Sequence, residues 1–95
     1  MLRSCLLQLE LYFNGCRSLK EKRRRLKGLR DRVGRSVNVA VCESGHQDSH
    51  QRSEWSIIAA AADAVVVEQI LAEVERTVQF SVDAELVGVQ REWLR

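Results

Sequence analysis

The sequence predicts a small α+β domain whose elements follow the order β-α-β-β-α-β. Two observations predict it. Four segments have the pattern of strands, the first two with a clear alternation of apolar and polar residues, and two others place apolar residues at helical spacing. The chain has 95 residues, 45% of them hydrophobic, and neither proline nor an internal repeat interrupts it. We therefore expect a single domain that covers residues 1–95.

The first predicted strand ends at the turn residues Asn14 and Gly15. Polar residues occupy alternate positions, and the apolar residues between them are Leu7, Leu9, Leu11 and Phe13. This period of two is typical of a strand with one buried face.

A capping box then predicts the start of the first helix, because Ser18 is followed three residues later by Glu21. The apolar residues that follow fall within a narrow arc at 100° per residue: Leu19, Leu26, Leu29 and Val33. We expect one continuous helix that ends near Gly34.

The middle of the chain predicts a hairpin with a long tip. The second strand is short and carries Val37, Val39 and Val41, and the third is the segment EWSIIAAAA at residues 54–62. The polar segment ESGHQDSHQR connects them.

Asp63 is placed to cap a second helix. Its apolar stripe consists of Val67, Ile70, Leu71, Val74 and Val78, and the last strand is VDAELVGV at residues 82–89. This order of elements is that of the ferredoxin-like fold, in which one four-stranded antiparallel sheet carries both helices on one face. Right-handed crossovers favour that arrangement.

Composition excludes several classes of protein. No apolar run reaches the length of about 18 residues that a membrane span needs, and the N-terminus lacks an uninterrupted apolar signal segment. Three cysteines without a CxxC pair, Cys5, Cys16 and Cys42, indicate free thiols in a reducing compartment. We expect a soluble, cytoplasmic protein. The chain has no phosphate loop, nucleophile elbow or paired-carboxylate motif, so we expect neither catalysis nor a cofactor.

Positive charge is concentrated in the first helix. Residues 17–35 contain ten basic and two acidic residues, a net charge of +8, so the rest of the chain carries −6. One flank of the predicted helix presents Lys20, Arg23, Arg24, Lys27 and Arg30, and Arg52 adds a second cationic position in the hairpin tip. Cations at this spacing can track a phosphate backbone, which favours RNA or a ribosomal particle as partner.

The alternative for this helix is a solvated surface. Its charges would then be neutralised by the acidic second helix or by pairs such as Lys27 with Asp31. Lys22 lies close to the apolar arc, and we expect its stem to cover the edge of the core while its ammonium group reaches water.

Cys42, His46 and His50 are spaced by four residues in the hairpin tip and belong to residue types that bind zinc. A strand end followed by a glycine-containing loop does not preorganise such ligands, so we predict no metal site from them. No orienting group or oxyanion donor supports Cys42 as a nucleophile either. We expect a polar tip in which Asp48 and Gln51 hydrogen-bond the turn backbone.

The sheet offers a different kind of surface. An RNA-recognition motif would stack bases on aromatic residues of its central strands. Tyr12 is the only aromatic residue on the polar side of the first strand, and we expect Trp55 to anchor the core or an interface. Ile58 and Ala60 can leave part of the uncovered sheet face apolar. The alternative function is therefore a protein-interaction module that forms a homodimer or binds a partner through this face.

Two motifs, SLKEKRR and HQDxxQR, occur in this order and resemble those of the YlxP-like family of small bacterial proteins of unknown function, and the resemblance covers essentially the whole chain. The resemblance implies a ferredoxin-like fold and, from the translation genes that often neighbour the family's genes, a role near RNA or the ribosome. The matching positions are Ser18, Leu19, Lys20, Lys22, Arg23 and Arg24, then His46, Gln47, Asp48, Gln51 and Arg52. The chain departs from the family pattern at Ser49, where an apolar residue is usual, and at His50, where an aromatic is usual.

Overall fold

In the computed structural model, which describes residues 1–95, helices cover one face of a four-stranded antiparallel sheet. The elements are β1 (Arg3–Tyr12), α1 (Leu19–Leu26), α2 (Leu29–Gly34), β2 (Val39–Gly45), β3 (Arg52–Ala61), α3 (Ala64–Ser81) and β4 (Glu85–Trp93). The strand order is β2-β3-β1-β4, so β1 lies in the centre between β3 and β4. This arrangement confirms the predicted ferredoxin-like α+β fold.

The alternation of β1 divides its side chains between two environments. Leu7, Leu9 and Leu11 are at most 1% exposed and face the helices, whereas Gln8 and Glu10 lie on the uncovered face. The core also takes residues from β3 and α3: Trp55, Ile57, Ala59, Val67, Leu71, Val74 and Val78. A strand with a period of two and a helix with a period near 3.6 therefore bury matching apolar surfaces.

The first helical segment differs from its prediction, because it consists of two helices and not one. α1 ends at Leu26, Gly28 adopts a φ of 84°, and α2 begins at Leu29. The left-handed region is readily accessible to glycine, so Gly28 permits the break without steric strain. The expectation of one continuous helix is wrong, and the basic residues on either side of Gly28 do not share one helical wheel.

The two predicted helix starts, at Ser18 for α1 and at Asp63 for α3, are capped as the sequence predicts. The Ser18 hydroxyl accepts a hydrogen bond from the backbone N–H of Glu21 at 3.0 Å, and the Asp63 carboxylate accepts one from Val65 at 2.9 Å. The carboxylate of Glu21 does not return to the cap but pairs with Arg25 at 2.9 Å. The capping box is therefore half formed. None of the helices combines the length and the apolar character needed to cross a bilayer.

We expect Ser18→Ala to lower the free energy of unfolding by about 1 kcal/mol, because the N–H of Glu21 loses its side-chain acceptor. Chemical denaturation monitored by circular dichroism measures this. Ser18→Asp is the control, since a carboxylate caps equally well and should retain stability. An alanine variant as stable as the wild type would show that the cap contributes nothing.

The strand ends also differ from the prediction. β2 begins at Val39 because Asn38 has a φ of 75° and Val37 is 79% exposed. The strand continues to Gly45, and the hydroxyls of Ser44 and Ser56 are hydrogen-bonded across β2 and β3 at 2.6 Å. Cross-strand pairing thus includes polar residues that the sequence assigned to the tip, which shortens the tip to residues 46–51. The last strand begins at Glu85 and extends beyond the predicted segment to Trp93.

Candidate functional site

Lys22 lies in α1 and is only 2% exposed. Its ammonium nitrogen donates hydrogen bonds to the backbone carbonyls of His46, Ser49 and Arg52, each at 2.8 Å. A carboxylate oxygen of Glu43 lies 3.5 Å away and supplies a counter-charge. The expectation that this ammonium reaches water is therefore wrong, because three carbonyls and one carboxylate replace its hydration.

The counter-charge is itself held in place. The hydroxyl of Ser53, which is fully buried, donates to the same Glu43 oxygen that faces Lys22. Glu43 is the cross-strand partner of Trp55, so it lies on the helix-facing side of the sheet. Lys22, Glu43 and Ser53 therefore form a polar network between α1, β2 and β3. The sequence analysis missed it, since Glu43 carried only the signal of a polar loop residue.

This network attaches the hairpin tip to α1. Within the tip, Ser49 accepts hydrogen bonds from the backbone N–H groups of Gln51 and Arg52, and Gln47 donates to the Glu43 carbonyl at 3.3 Å. The predicted turn bonds from Asp48 and Gln51 side chains are absent, and both residues are exposed. Ser49 takes that role because its short hydroxyl reaches N–H groups two and three residues later.

The predicted phosphate-contact residues are all exposed. They are Lys20, Arg23 and Arg24 in α1, Lys27 at its C-terminal cap, Arg30 in α2 and Arg52 at the start of β3. No carboxylate oxygen lies within 4.0 Å of any of these cations. The pair between Lys27 and Asp31 that the solvated-surface alternative offered does not form, and the break at Gly28 lies between the two residues.

Two basic residues of the segment, Arg25 and Arg30, contact other parts of the domain. Arg25 pairs with Glu21 at 2.9 Å and with Asp83 at 3.7 Å, and it also donates to the Asn14 carbonyl. Arg30 lies over the ring of Trp55, with 5.7 Å between the guanidinium carbon and the ring centroid. Trp55 is 5% exposed, so of its two predicted roles, an anchor of the core or of an interface, the structure shows the core role.

The uncovered sheet face is apolar at one end only. Ile58, which is 41% exposed, pairs with Leu6 on β1 and with Ala40 on β2. Toward the other end the paired positions are polar, with Gln8 opposite Ser56 and Glu10 opposite Glu54. The apolar part is therefore a small patch.

The tip brings His46 to the polar end of this face. Its Nε2 lies 3.4 Å from Glu10 Oε1, and ligand atoms of His46, Glu10 and Glu54 all lie within 4.8 Å of one another. The structure groups His46 with these two carboxylates and not with Cys42 and His50. The alternation of β1 places Glu10 on the polar side of the strand, but no local signal in the sequence relates it to Glu54.

The family described as "Protein of unknown function (DUF503)" matches residues 5–91. The chain belongs to this family. It is also similar to the uncharacterized protein YlxP of Bacillus subtilis (strain 168), with 36% identity over 76 residues that cover 80% of this chain and 83% of that protein. Both findings confirm the resemblance carried by the two motifs, and the DUF503 match includes Lys22 and the whole tip.

Solved structures with a similar backbone show the fold that this DUF503 member adopts. The de novo designed protein Foldit4 has a TM-score of 0.59 at 14% identity and covers 100% of this chain and 98% of its own. The designed ferredoxin-fold protein LFR1 1 has a TM-score of 0.55 at 12% identity, and the match covers 97% of this chain and 85% of that protein. A C-terminal segment of the alpha subunit of aIF2 from Pyrococcus abyssi has a TM-score of 0.56 at 17% identity, and the match covers 99% of this chain and 50% of that segment.

Proposed function

We propose that the protein is a non-enzymatic RNA-binding module that contacts the phosphate backbone of RNA or of a ribosomal particle. The observation that carries the proposal is the set of exposed cations without acidic partners: Lys20, Arg23, Arg24, Lys27, Arg30 and Arg52. Five of these cations belong to the segment of net charge +8, and Arg52 lies at the start of β3. Unpaired cations attract a polyanion, which releases its counterions on binding.

The distribution of ion pairs supports this proposal over a solvated surface. Acidic residues of α3 pair with Arg76 and Arg91, and neither of these arginines belongs to the basic segment. Within that segment only Lys22 and Arg25 have carboxylate partners. A solvated surface would have its positive charges neutralised by carboxylates. In the basic segment this holds only for Lys22 and Arg25, whose contacts attach α1 to neighbouring elements.

The buried lysine also places Arg52 beside the basic segment. The Arg52 carbonyl accepts a hydrogen bond from Lys22 at 2.8 Å, while the Arg52 side chain is exposed. We therefore define the cationic surface as Lys20, Arg23, Arg24, Lys27, Arg30 and Arg52. The uncovered sheet face carries Tyr12 without an aromatic cluster, and Trp55 faces the core. Backbone contact without base stacking follows, so little sequence preference is expected.

Association through the uncovered sheet face is the second candidate function. Ile58 is 41% exposed beside Leu6 and Ala40, which supports a homodimer or a partner contact at that end of the sheet. An apolar contact of this kind depends little on salt, whereas phosphate contact depends on it steeply.

Co-sedimentation with purified ribosomal subunits over a series of salt concentrations tests the proposal. If about four to six phosphates are contacted, log affinity plotted against log salt should have a slope of about −3 to −5. Ile58→Glu is the matched variant for the sheet face and should leave this binding unchanged. A complex that is insensitive to salt and is lost in Ile58→Glu would support the sheet interface instead. No co-sedimentation at low salt would contradict the ribosomal proposal.

A further inference from the structure

We propose that Glu10, His46 and Glu54 form a binding site for a divalent transition-metal ion of the zinc class on the uncovered face of the sheet. The three side chains come from β1, the hairpin tip and β3. One imidazole and two carboxylates are ligands that zinc accepts, commonly with further positions left to water or substrate. This site is independent of the proposed RNA contact and shares only His46 with the set Cys42, His46 and His50.

The separations between ligand atoms suit a metal ion. Ligands at about 2.1 Å from a tetrahedral zinc ion lie about 3.4 Å from one another. His46 Nε2 and Glu10 Oε1 are 3.4 Å apart. The third ligand atom, from Glu54, lies within 4.8 Å of both, and side-chain rotation of a glutamate can close the remaining distance.

The site contains an unused carboxylate oxygen. Glu10 Oε2 is shielded from solvent and has no hydrogen-bond partner. A buried acceptor that lacks a donor costs free energy, about 1–3 kcal/mol for a neutral group and more for a charged one. Bidentate coordination by Glu10, through Oε1 and Oε2, would satisfy this oxygen, which hydrogen bonds within the chain leave unpaired.

Electrostatics also favour a cation here. Glu10 and Glu54 are direct cross-strand partners, and like charges in that position repel. The amide of Gln8 donates to Glu54 at 3.0 Å, which orients that carboxylate but leaves its charge in place. A bound divalent cation removes the repulsion and gains from both charges.

Surrounding residues preorganise the three ligands. The carbonyl of His46 is fixed by buried Lys22, and His46 has a φ of 60°, so the tip holds its imidazole toward β1 and β3. Side chains at Gly45 and Gly88 would crowd the Glu54 and Glu10 side chains respectively. Supporting contacts of this kind hold metal ligands in the geometry that binding requires.

The site retains room for additional ligands. A cavity of about 220 Å³ borders the two carboxylates, and its other lining residues are Gln8, Gly88, Val89 and Gln90. Water molecules or a small oxygen-containing ligand can complete the coordination from this side.

Zinc titration of chelator-treated, full-length protein by calorimetry tests the proposal. We expect one zinc ion per chain, with affinity reduced at least about tenfold in each of Glu10→Gln, Glu54→Gln and His46→Asn. Magnesium should bind more weakly, because imidazole favours transition metals. The matched controls His50→Asn and Cys42→Ser should bind zinc as the wild type does, and circular dichroism confirms that each variant is folded.

Nuclear magnetic resonance of the two imidazoles gives a second readout. Zinc should shift the ring resonances of His46 and leave those of His50 unchanged. The proposal is overturned if no stoichiometric binding occurs, if folded His46→Asn retains wild-type affinity, or if binding is lost in His50→Asn or Cys42→Ser. Equal affinity for magnesium and zinc would also overturn it, since the imidazole would then contribute nothing.

Discussion

Lys22→Met is expected to lower the free energy of unfolding by about 3 kcal/mol, far more than replacement of an exposed basic residue in the same helix. Methionine keeps the buried stem but removes the ammonium group. Three backbone carbonyls then lose a donor, and Glu43 loses its counter-charge. Breaking a buried pair leaves one partner uncompensated, which costs far more than loss of a surface ion pair.

Urea denaturation of Lys22→Met and of the matched control Lys20→Met measures this effect. Lys20 is exposed and unpaired, so its replacement should change stability by no more than about 0.5 kcal/mol. Combining Glu43→Gln with Lys22→Met should reduce the loss of stability, because the double variant has no carboxylate charge without a counter-charge. Equal stability of the two lysine variants would show that the buried network does not stabilise the fold.

Amide hydrogen exchange shows which part of the chain Lys22→Met destabilises. Amide protons in residues 46–52 of folded Lys22→Met should exchange faster than in the wild type, because the tip loses its attachment to α1. Exchange that increases uniformly over the chain would instead indicate a general loss of stability.

The variant with Arg23, Arg24 and Lys27 all replaced by glutamine is expected to bind RNA at least about tenfold more weakly at moderate salt. All three residues are exposed and lack acidic partners, so their charges are available to phosphates. Glutamine is a good helix former, so the fold should be retained. The slope of log affinity against log salt should become shallower by roughly one for each phosphate contact removed.

A control of equal charge separates a local surface from net charge. Replacing Arg3, Arg76 and Arg95 with glutamine also removes three positive charges, but these residues lie outside the basic segment. Filter binding should show near wild-type affinity for this control. Equal loss in both triple variants would mean that net charge alone drives binding, and no loss in either would contradict the phosphate proposal.

Lys22 connects the cationic surface with the proposed metal site. Its ammonium group binds the carbonyl of Arg52, a member of the cationic surface, and the carbonyl of His46, a proposed metal ligand. Both motifs of the DUF503 resemblance therefore meet at one buried side chain. The structure gives this lysine a positioning role in the tip, while its neighbours Arg23 and Arg24 remain exposed.

The fold was predictable from the sequence because its signals are local. Alternation in β1 and the stripe of α3 each reflect which side of a single element is buried, and the caps at Ser18 and Asp63 involve residues two or three positions apart. The break between α1 and α2 at Gly28 was not predicted, although it is also a local feature. Gly28 is compatible with both a helix interior and a left-handed turn, and the apolar spacing across it suits a continuous helix.

The candidate sites depended on contacts between distant parts of the chain. The sequence by itself determined the fold and the location of the basic segment, and it limited Trp55 to an anchor of the core or of an interface. Only the tertiary structure decided that Lys22 is buried, because its three carbonyl partners lie 24 to 30 residues away. Only strand register, together with the path of the tip, brings His46 beside Glu10 and Glu54. Periodicity reports which face of an element is buried, whereas register and loop path decide which polar groups meet across it.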